Sequence, residues 1–249
     1  MSLSCVNQAL QNSVSTDEDV FDQINFDQVN QQLEAMTAEK RLEWSFKNLT
    51  GEHVLTSSFG AQSAVSLHLF QQVAPSIPVV VIDTGYLFKE TYQFIDQLSQ
   101  RLKLNLKVYR SPLSAAWQES RFGRLWQQGV EGIDQYNQLN KVEPLQRALN
   151  DLDVGTWYAG IRREQAKTRQ NITILREQQG RFKMHPIADW SSKHLHFYLK
   201  KHNLPYHPLW EKGYVSIGDV HTTRPITEAM NEEDTRFFGL KRECGIHDL

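Results

Sequence analysis

From residue 53 onward, short β-rich runs alternate with helical stretches, and no other feature of the chain narrows its fold so far. Runs at 53–57, 78–83 and 106–110 are separated by helical stretches at 61–72 and 88–102. Repetition of this kind predicts an α/β fold with a mainly parallel, doubly wound sheet and right-handed crossovers. Val79, Val80, Val81 and Ile82 form a continuous β-branched run, as expected of a central strand covered on both faces. Residues 114–150 read as helices broken by Gly123, Gly129 and Gly132, and 156–160 resumes a strand. Upstream, Val29, Leu33, Met36, Leu42, Trp44 and Phe46 have helical spacing, so 28–48 reads as a helix outside the sheet, stopped at Leu49-Thr50-Gly51. With 249 residues, 40% of them hydrophobic, the chain can bury one substantial core. The expected organisation is a flexible leader over 1–27, an α/β domain over 28–205 and a loop-rich lid or tail over 206–249.

A formal net charge of -2 gives no reason to expect a nucleic-acid or membrane partner. No apolar stretch approaches the roughly 20 residues of a membrane span, and the polar, acidic opening lacks the basic-then-apolar order of a signal peptide. A cytoplasmic setting is the expectation. The two cysteines, Cys5 and Cys244, lie too far apart in sequence to suggest a disulfide framework. Cys5 reads as a bystander in the leader. Cys244 is different, because Lys241, Arg242 and His247 around it favour the thiolate, the form that attacks electrophiles. A buried structural thiol is the alternative, but the segment is charged and close to the end of the chain.

In a doubly wound sheet, ligands bind beyond the carboxyl ends of the strands, so the residues there carry most information. After the first strand, Ser57-Ser58-Phe59-Gly60-Ala61-Gln62-Ser63 offers hydroxyls, amides and a positive helix end to an anion. Taken alone, it reads as well as a serine cap and a turn glycine. Asp83-Thr84-Gly85-Tyr86 follows the central strand and can hydrogen-bond a ribose or base edge, or simply cap a helix. Gly160-Ile161-Arg162-Arg163-Glu164, followed by Arg169, favours anion binding, since adjacent arginines directly after a buried strand are hard to explain by structure. The tail adds His221-Thr222-Thr223-Arg224 and Arg236. Cations around a thiol, facing a phosphate-binding sheet edge, suggest a substrate with several negative charges and an electrophilic centre.

Together, Ser57-Ser58-Phe59-Gly60, Asp83-Thr84-Gly85, Gly160-Ile161-Arg162-Arg163 and Glu243-Cys244-Gly245-Ile246-His247, in this order and spacing, resemble the phosphoadenylyl-sulfate (PAPS) reductases of assimilatory sulfate reduction, in their thioredoxin-dependent bacterial form. The resemblance runs from about residue 30 to the last residue. It implies an adenine nucleotide alpha hydrolase-like fold, related to the PP-loop ATP pyrophosphatases, with a C-terminal catalytic tail. A sister branch, the adenylyl-sulfate (APS) reductases, holds an iron-sulfur cluster on a Cys-Cys pair and a later Cys-x-x-Cys. The matching positions here carry Tyr136, Asn137, Asp219 and Thr222, so the resemblance implies no cluster, no bound metal or other cofactor, and a 3′-phosphorylated substrate. Ala166 departs from the serine frequent in relatives, which puts one hydroxyl contact in doubt.

What the resemblance implies for mechanism is attack by Cys244 on the sulfonyl sulfur of PAPS, giving an S-sulfocysteine and adenosine 3′,5′-bisphosphate. Thioredoxin or glutaredoxin then releases sulfite. Lys141, Arg236 and His247 match positions near the phosphosulfate, and Arg162, Arg163 and Arg169 are candidates for the phosphates. Ser57, Ser58, Gly60, Asp83 and Gly85 line the nucleotide cleft. A homodimer is expected, with Trp117, Trp126 and Tyr136 serving an interface or the core. Two rivals stand beside this reading. A PP-loop ATP pyrophosphatase or adenylyltransferase would use the same sheet, but the Ser-Gly-Gly-x-Asp-Ser turn usual there is Ser58-Phe59-Gly60-Ala61-Gln62-Ser63 here, without the acidic residue. A nucleotide-binding redox sensor would leave Cys244 without a sulfonate.

Overall fold

The computed structural model describes residue 21, residues 24–228, residue 230, and residues 232–240 and 245–246. Two helices open it, α1 (Phe26–Glu34) and α2 (Ala38–Asn48). The apolar spacing runs through both, yet the chain breaks between them because the Thr37 hydroxyl accepts the Lys40 N–H and starts a new helix. The expected helix over 28–48 is thus two. Arg41 of α2 is fully buried and grips both carboxylate oxygens of Asp189, at 2.5 and 3.0 Å, while donating to the carbonyls of Leu33 and Pro186. Five donors in a planar fork suit such a junction between distant segments.

Six strands form one sheet: β1 (Glu52–Thr56), β2 (Pro78–Ile82), β3 (Asn105–Tyr109), β4 (Val154–Ala159), β5 (Leu175–Glu177) and β6 (Phe182–Met184). Their order is β3-β2-β1-β4-β6-β5, parallel except for the antiparallel β5–β6 pair. Successive side chains of a strand face opposite layers. Accordingly Val79 and Val81 pack with Leu67, Phe70, Phe94 and Leu98 of α3 (Ala64–Val73) and α4 (Lys89–Leu102), whereas Val80 packs with Leu145, Ala148 and Leu149 of α7 (Glu143–Asp151). This is the two-faced burial that the β-branched run predicts.

Between β3 and α7 lie α5 (Ala115–Phe122), α6 (Gly129–Asn137) and a π-helical turn, Gln138–Val142. Gly132 does not break α6: it lies inside the helix, where any Cβ would overlap the Leu125 carbonyl. The β5–β6 hairpin adds the sheet's antiparallel edge, and α8 (Ser192–Lys201) follows it. Trp126 and Tyr136 are core residues, while Trp117 stays 59% exposed. From 206 onward the chain makes short turns that pack inward, burying His207, Leu209, Ile217, Asp219 and Phe237. No helix among the described residues is long and apolar enough to cross a membrane.

The buried His207 anchors this segment. Its Nδ1 accepts the Leu209 N–H at 3.1 Å, which leaves Nε2 to donate to the Thr91 hydroxyl at 3.0 Å. Burial pushes its pKa down to about 4, and that of the buried His185 to about 3. Both groups bind protons more readily unfolded than folded, so their contribution to stability is full above about pH 6.5 and is lost as the pH falls toward these values. Urea midpoints are expected to drop between pH 6.5 and 4, and His207→Gln to flatten that drop. A midpoint indifferent to pH across this window in both proteins would contradict the assignment.

Candidate active site

The strand order turns back between β1 and β4, and a cavity of about 410 Å³ opens there, within the roughly 300–1,000 Å³ usual for small-molecule sites. One wall is the turn from β1 into α3. Ser57 donates its N–H to the Val80 carbonyl, and its Oγ accepts the Phe59 N–H at 3.2 Å. Phe59 sits in the left-handed region at φ 49° with its ring wholly buried. Such a backbone costs on the order of 1–3 kcal/mol for a non-glycine residue, and the buried ring holds it in place. Ser57, Ser58 and Gly60 consequently face the cavity, together with the amino end of α3, which has no acidic residue in its first turn.

The facing wall follows β4. Gly160 is required by close packing, since any Cβ there would overlap the Ser66 side chain of α3. Arg162 is buried, donating to the Trp190 carbonyl at 2.9 Å and lying 3.4 Å from Glu164 and from the Gln62 side-chain oxygen. Gln165 joins two of these elements, accepting from the Arg162 N–H at 2.9 Å and from Arg169 at 2.8 Å. Arg162 and Arg169 both line the cavity. Arg163 does not. It pairs with Glu34 of α1 and donates to the Ile172 carbonyl, tying the loop to the outer helices.

The third wall brings together the π-helical turn and the 216–237 segment. Lys141 and Asp219 form a buried ion pair at 2.7 Å, and the Thr84 hydroxyl donates to the other Asp219 oxygen at 2.5 Å. Burial alone would raise the Asp219 pKa, but the Lys141 charge and the hydrogen bond from Thr84 outweigh it and hold the carboxyl well below its usual range. The Tyr136 hydroxyl faces this pair without a hydrogen bond of good geometry. His221 sits among Tyr86, Trp126 and Tyr136, with ring centroids 4.8, 3.7 and 5.0 Å away. Burial brings its pKa down to about 4 despite the Asp219 charge, which keeps the ring neutral.

Arg236 completes the wall, 3.4 Å from the Ser216 hydroxyl, its guanidinium laid directly on Gly218. Any Cβ at Gly218 would overlap that guanidinium, and a flexible arginine end can move aside while the backbone stays. Gly218→Ala is therefore expected to fold normally, with an unchanged melting temperature, yet to weaken anion binding in the cavity by roughly tenfold through displacement of Arg236. Unchanged affinity for inorganic phosphate would show that Arg236 does not face the bound anion.

Of the residues expected at the site, Ser57, Ser58, Gly60, Lys141, Arg162, Arg169 and Arg236 line one cavity. Asp83 and Gly85 are not among its lining residues. The Asp83 Oδ1 accepts from the Gly85 N–H at 2.9 Å and the Tyr92 hydroxyl at 2.7 Å, closing the turn after β2. Cys244 and His247 lie outside the described residues. Two neighbours of Cys244 are described: Gly245 lies against Val142, and Ile246 lines the cavity and packs against the cluster of Val80, Leu145 and Trp157. Thr84 and Gln62, which lie within the strand-end motifs, also line the cavity, as do Ser216 and Asp219, whose distance in the sequence only the tertiary fold closes. Among the described residues, no group of three or more His, Cys, Asp or Glu side chains is arranged to hold a metal ion.

Residues 52–225 match the phosphoadenosine phosphosulfate reductase domain. A phosphoadenosine 5′-phosphosulfate reductase from Vibrio cholerae serotype O1 is 61% identical over 221 residues, covering 89% of this chain and 87% of its own length. One of the same name from Escherichia coli O1:K1 / APEC is 60% identical, covering 89% and 91%. Among solved structures, the phosphate complex of phosphoadenylyl-sulfate (PAPS) reductase from Candida auris superposes with a TM-score of 0.72 at 25% identity, over 86% of this chain and all of that one. Candida glabrata FMN adenylyltransferase, at 17% identity and a TM-score of 0.56 over 92% of this chain and 76% of its own, shares the fold. The matched domain spans β1 to the 216–223 wall and so contains most of the cavity, and with relatives this similar along most of its length the chain belongs to the phosphoadenosine phosphosulfate reductase family.

Proposed function

We propose that the protein reduces 3′-phosphoadenylyl sulfate to sulfite and adenosine 3′,5′-bisphosphate, with thioredoxin or glutaredoxin as the electron donor. The carrying observation is that Lys141, Arg162, Arg169 and Arg236 converge on one cavity at the strand-order switch, and that Ile246, two residues after Cys244, lines the same cavity. A cavity with this cationic lining suits a ligand with several negative charges. Ser57, Ser58, Gly60 and the α3 amino end serve the nucleotide side of that ligand; Lys141 and Arg236, with His247, serve the phosphosulfate.

In the reaction, the Cys244 thiolate attacks the sulfonyl sulfur and the bond from sulfur to the bridging oxygen breaks, its electron pair leaving with adenosine 3′,5′-bisphosphate. The enzyme then holds an S-sulfocysteine. A donor thiolate attacks the Cys244 sulfur, expelling sulfite and forming a mixed disulfide, which the donor's second thiolate resolves. Two electrons pass from the dithiol to sulfur. The thiolate approaches a centre ringed by negative oxygens while charge builds on the leaving phosphate, so fixed cations lower the barrier on both counts. We place this chemistry in the reducing cytoplasm and in a homodimer, for which the exposed Trp117 is a candidate interface residue.

Sulfite release from PAPS and from APS, each with reduced thioredoxin, tests the reading. Turnover with PAPS well above that with APS is the expected result. No sulfite from PAPS, or faster turnover of APS, would contradict it.

A further inference from the structure

Lys141 is buried between one carboxylate and two aromatic rings, and its ammonium makes an ion pair without a well-aligned hydrogen bond. Its ammonium lies 2.7 Å from Asp219 and 5.2 and 5.0 Å from the ring centroids of Tyr136 and Phe237. Asp219 is fixed in turn by the Thr84 hydroxyl at 2.5 Å, and Lys141, Asp219 and Thr84 all reach the cavity surface. A carboxylate in the wall of a site for a polyanion works against binding, by charge repulsion and by the cost of burying it. Its presence there calls for a role that offsets this. A staple between two segments of the fold is one such role, but it does not require the pair to lie on the cavity wall. The backbone adds a second indication: Lys141 projects from a π-helical turn, a local widening frequent at functional sites, and that turn is pinned by reciprocal side-chain hydrogen bonds of 2.8 Å between Asn140 and Gln118.

We propose that Asp219 is a positioning residue. It acts through Lys141, holding the ammonium at one place and in one direction so that the cation meets the transferring sulfonate, and Thr84 holds Asp219 for the same purpose. This rests on the assignment of Lys141 to the phosphosulfate made above. Misplacing a catalytic charge by about 1 Å can cost on the order of a hundredfold in rate while leaving distant contacts intact.

Single-turnover sulfonation of Cys244 by PAPS, followed by intact mass, reads the transfer step; calorimetric binding of adenosine 3′,5′-bisphosphate, which lacks the sulfonate, reads the nucleotide contacts. Asp219→Asn is expected to slow transfer by about 10- to 100-fold with nucleotide affinity within a few-fold of wild type. Thr84→Val, which keeps both charges, should show a smaller loss of the same kind and guards against misfolding of the first variant. Asp219→Asn should add nothing in a Lys141→Met background, because the two residues act as a unit. Losses that multiply in the double variant, or a fall in nucleotide affinity and melting temperature in proportion to rate, would reduce Asp219 to a structural staple. Wild-type protein that PAPS does not label would overturn the reaction itself, an outcome distinct from either.

Discussion

Cys244→Ser is expected to abolish sulfite release from PAPS, by more than about a thousandfold, because the hydroxyl is a far weaker nucleophile than a thiolate. Nucleotide affinity should be nearly unchanged in the same protein. The strand-end turns after β1 and β4 that line the cavity remain intact in this variant, and Cys244 is needed only when sulfur is transferred. Removing the last ten residues should give the same loss of turnover with nucleotide binding partly retained. It should also lower the melting temperature slightly, since Ile246 packs on the Val80, Leu145 and Trp157 cluster. A half-active Cys244→Ser enzyme would show that another group makes the first bond. Global unfolding on truncation would show that the tail belongs to the core.

Arg236→Ala should lower kcat/KM for PAPS by about 10²- to 10³-fold, the range seen when one preorganised donor to developing negative charge is removed. The guanidinium rests on Gly218 and reaches the Ser216 hydroxyl, so its direction is set before substrate arrives. Arg236→Lys keeps the charge but loses the planar fork and should recover only part of the activity. Because Arg236 is placed at the group that reacts, the loss should fall mainly on kcat, with a modest rise in KM. Equal loss for binding of adenosine 3′,5′-bisphosphate would instead place Arg236 at the nucleotide phosphates.

The parallel sheet was legible in the sequence because β1, β2 and β4 are apolar, β-branched or aromatic runs spaced by helix-length segments, a pattern that local physics and tertiary structure read alike. The β5–β6 hairpin was not. Each of its strands has three residues, too few to show a period, and Lys183 within β6 is wholly buried over the Trp157 ring, a placement opposite to its polarity. The break between α1 and α2 was hidden for a different reason: the apolar stripe continues across it, and the only local sign is Thr37 as a cap.

The site divides in the same way. The serine turn, Arg162 and Arg169 announce themselves as strand-end residues, and Lys141 and Arg236 follow from the resemblance. Asp83 and Arg163 have the right chemistry and the right place in the sequence. Neither is among the residues lining the cavity: Asp83 closes its own turn and Arg163 grips Glu34 of a helix well over a hundred residues away in the chain. Asp219 shows the reverse. In the sequence it shows only as a position where the sister branch has a cysteine, and its pairing with Lys141 and Thr84 is brought about by the fold alone.

The central claim, covalent sulfur transfer to Cys244, is tested most directly by intact-protein mass spectrometry of the reduced protein incubated with PAPS or APS, with Cys244→Ser alongside and thioredoxin added afterwards. One sulfonate gained from PAPS, far less from APS, none in Cys244→Ser, and removed by thioredoxin as sulfite appears, is the predicted result. An unlabelled wild-type protein, or a label that survives in Cys244→Ser, would contradict the account.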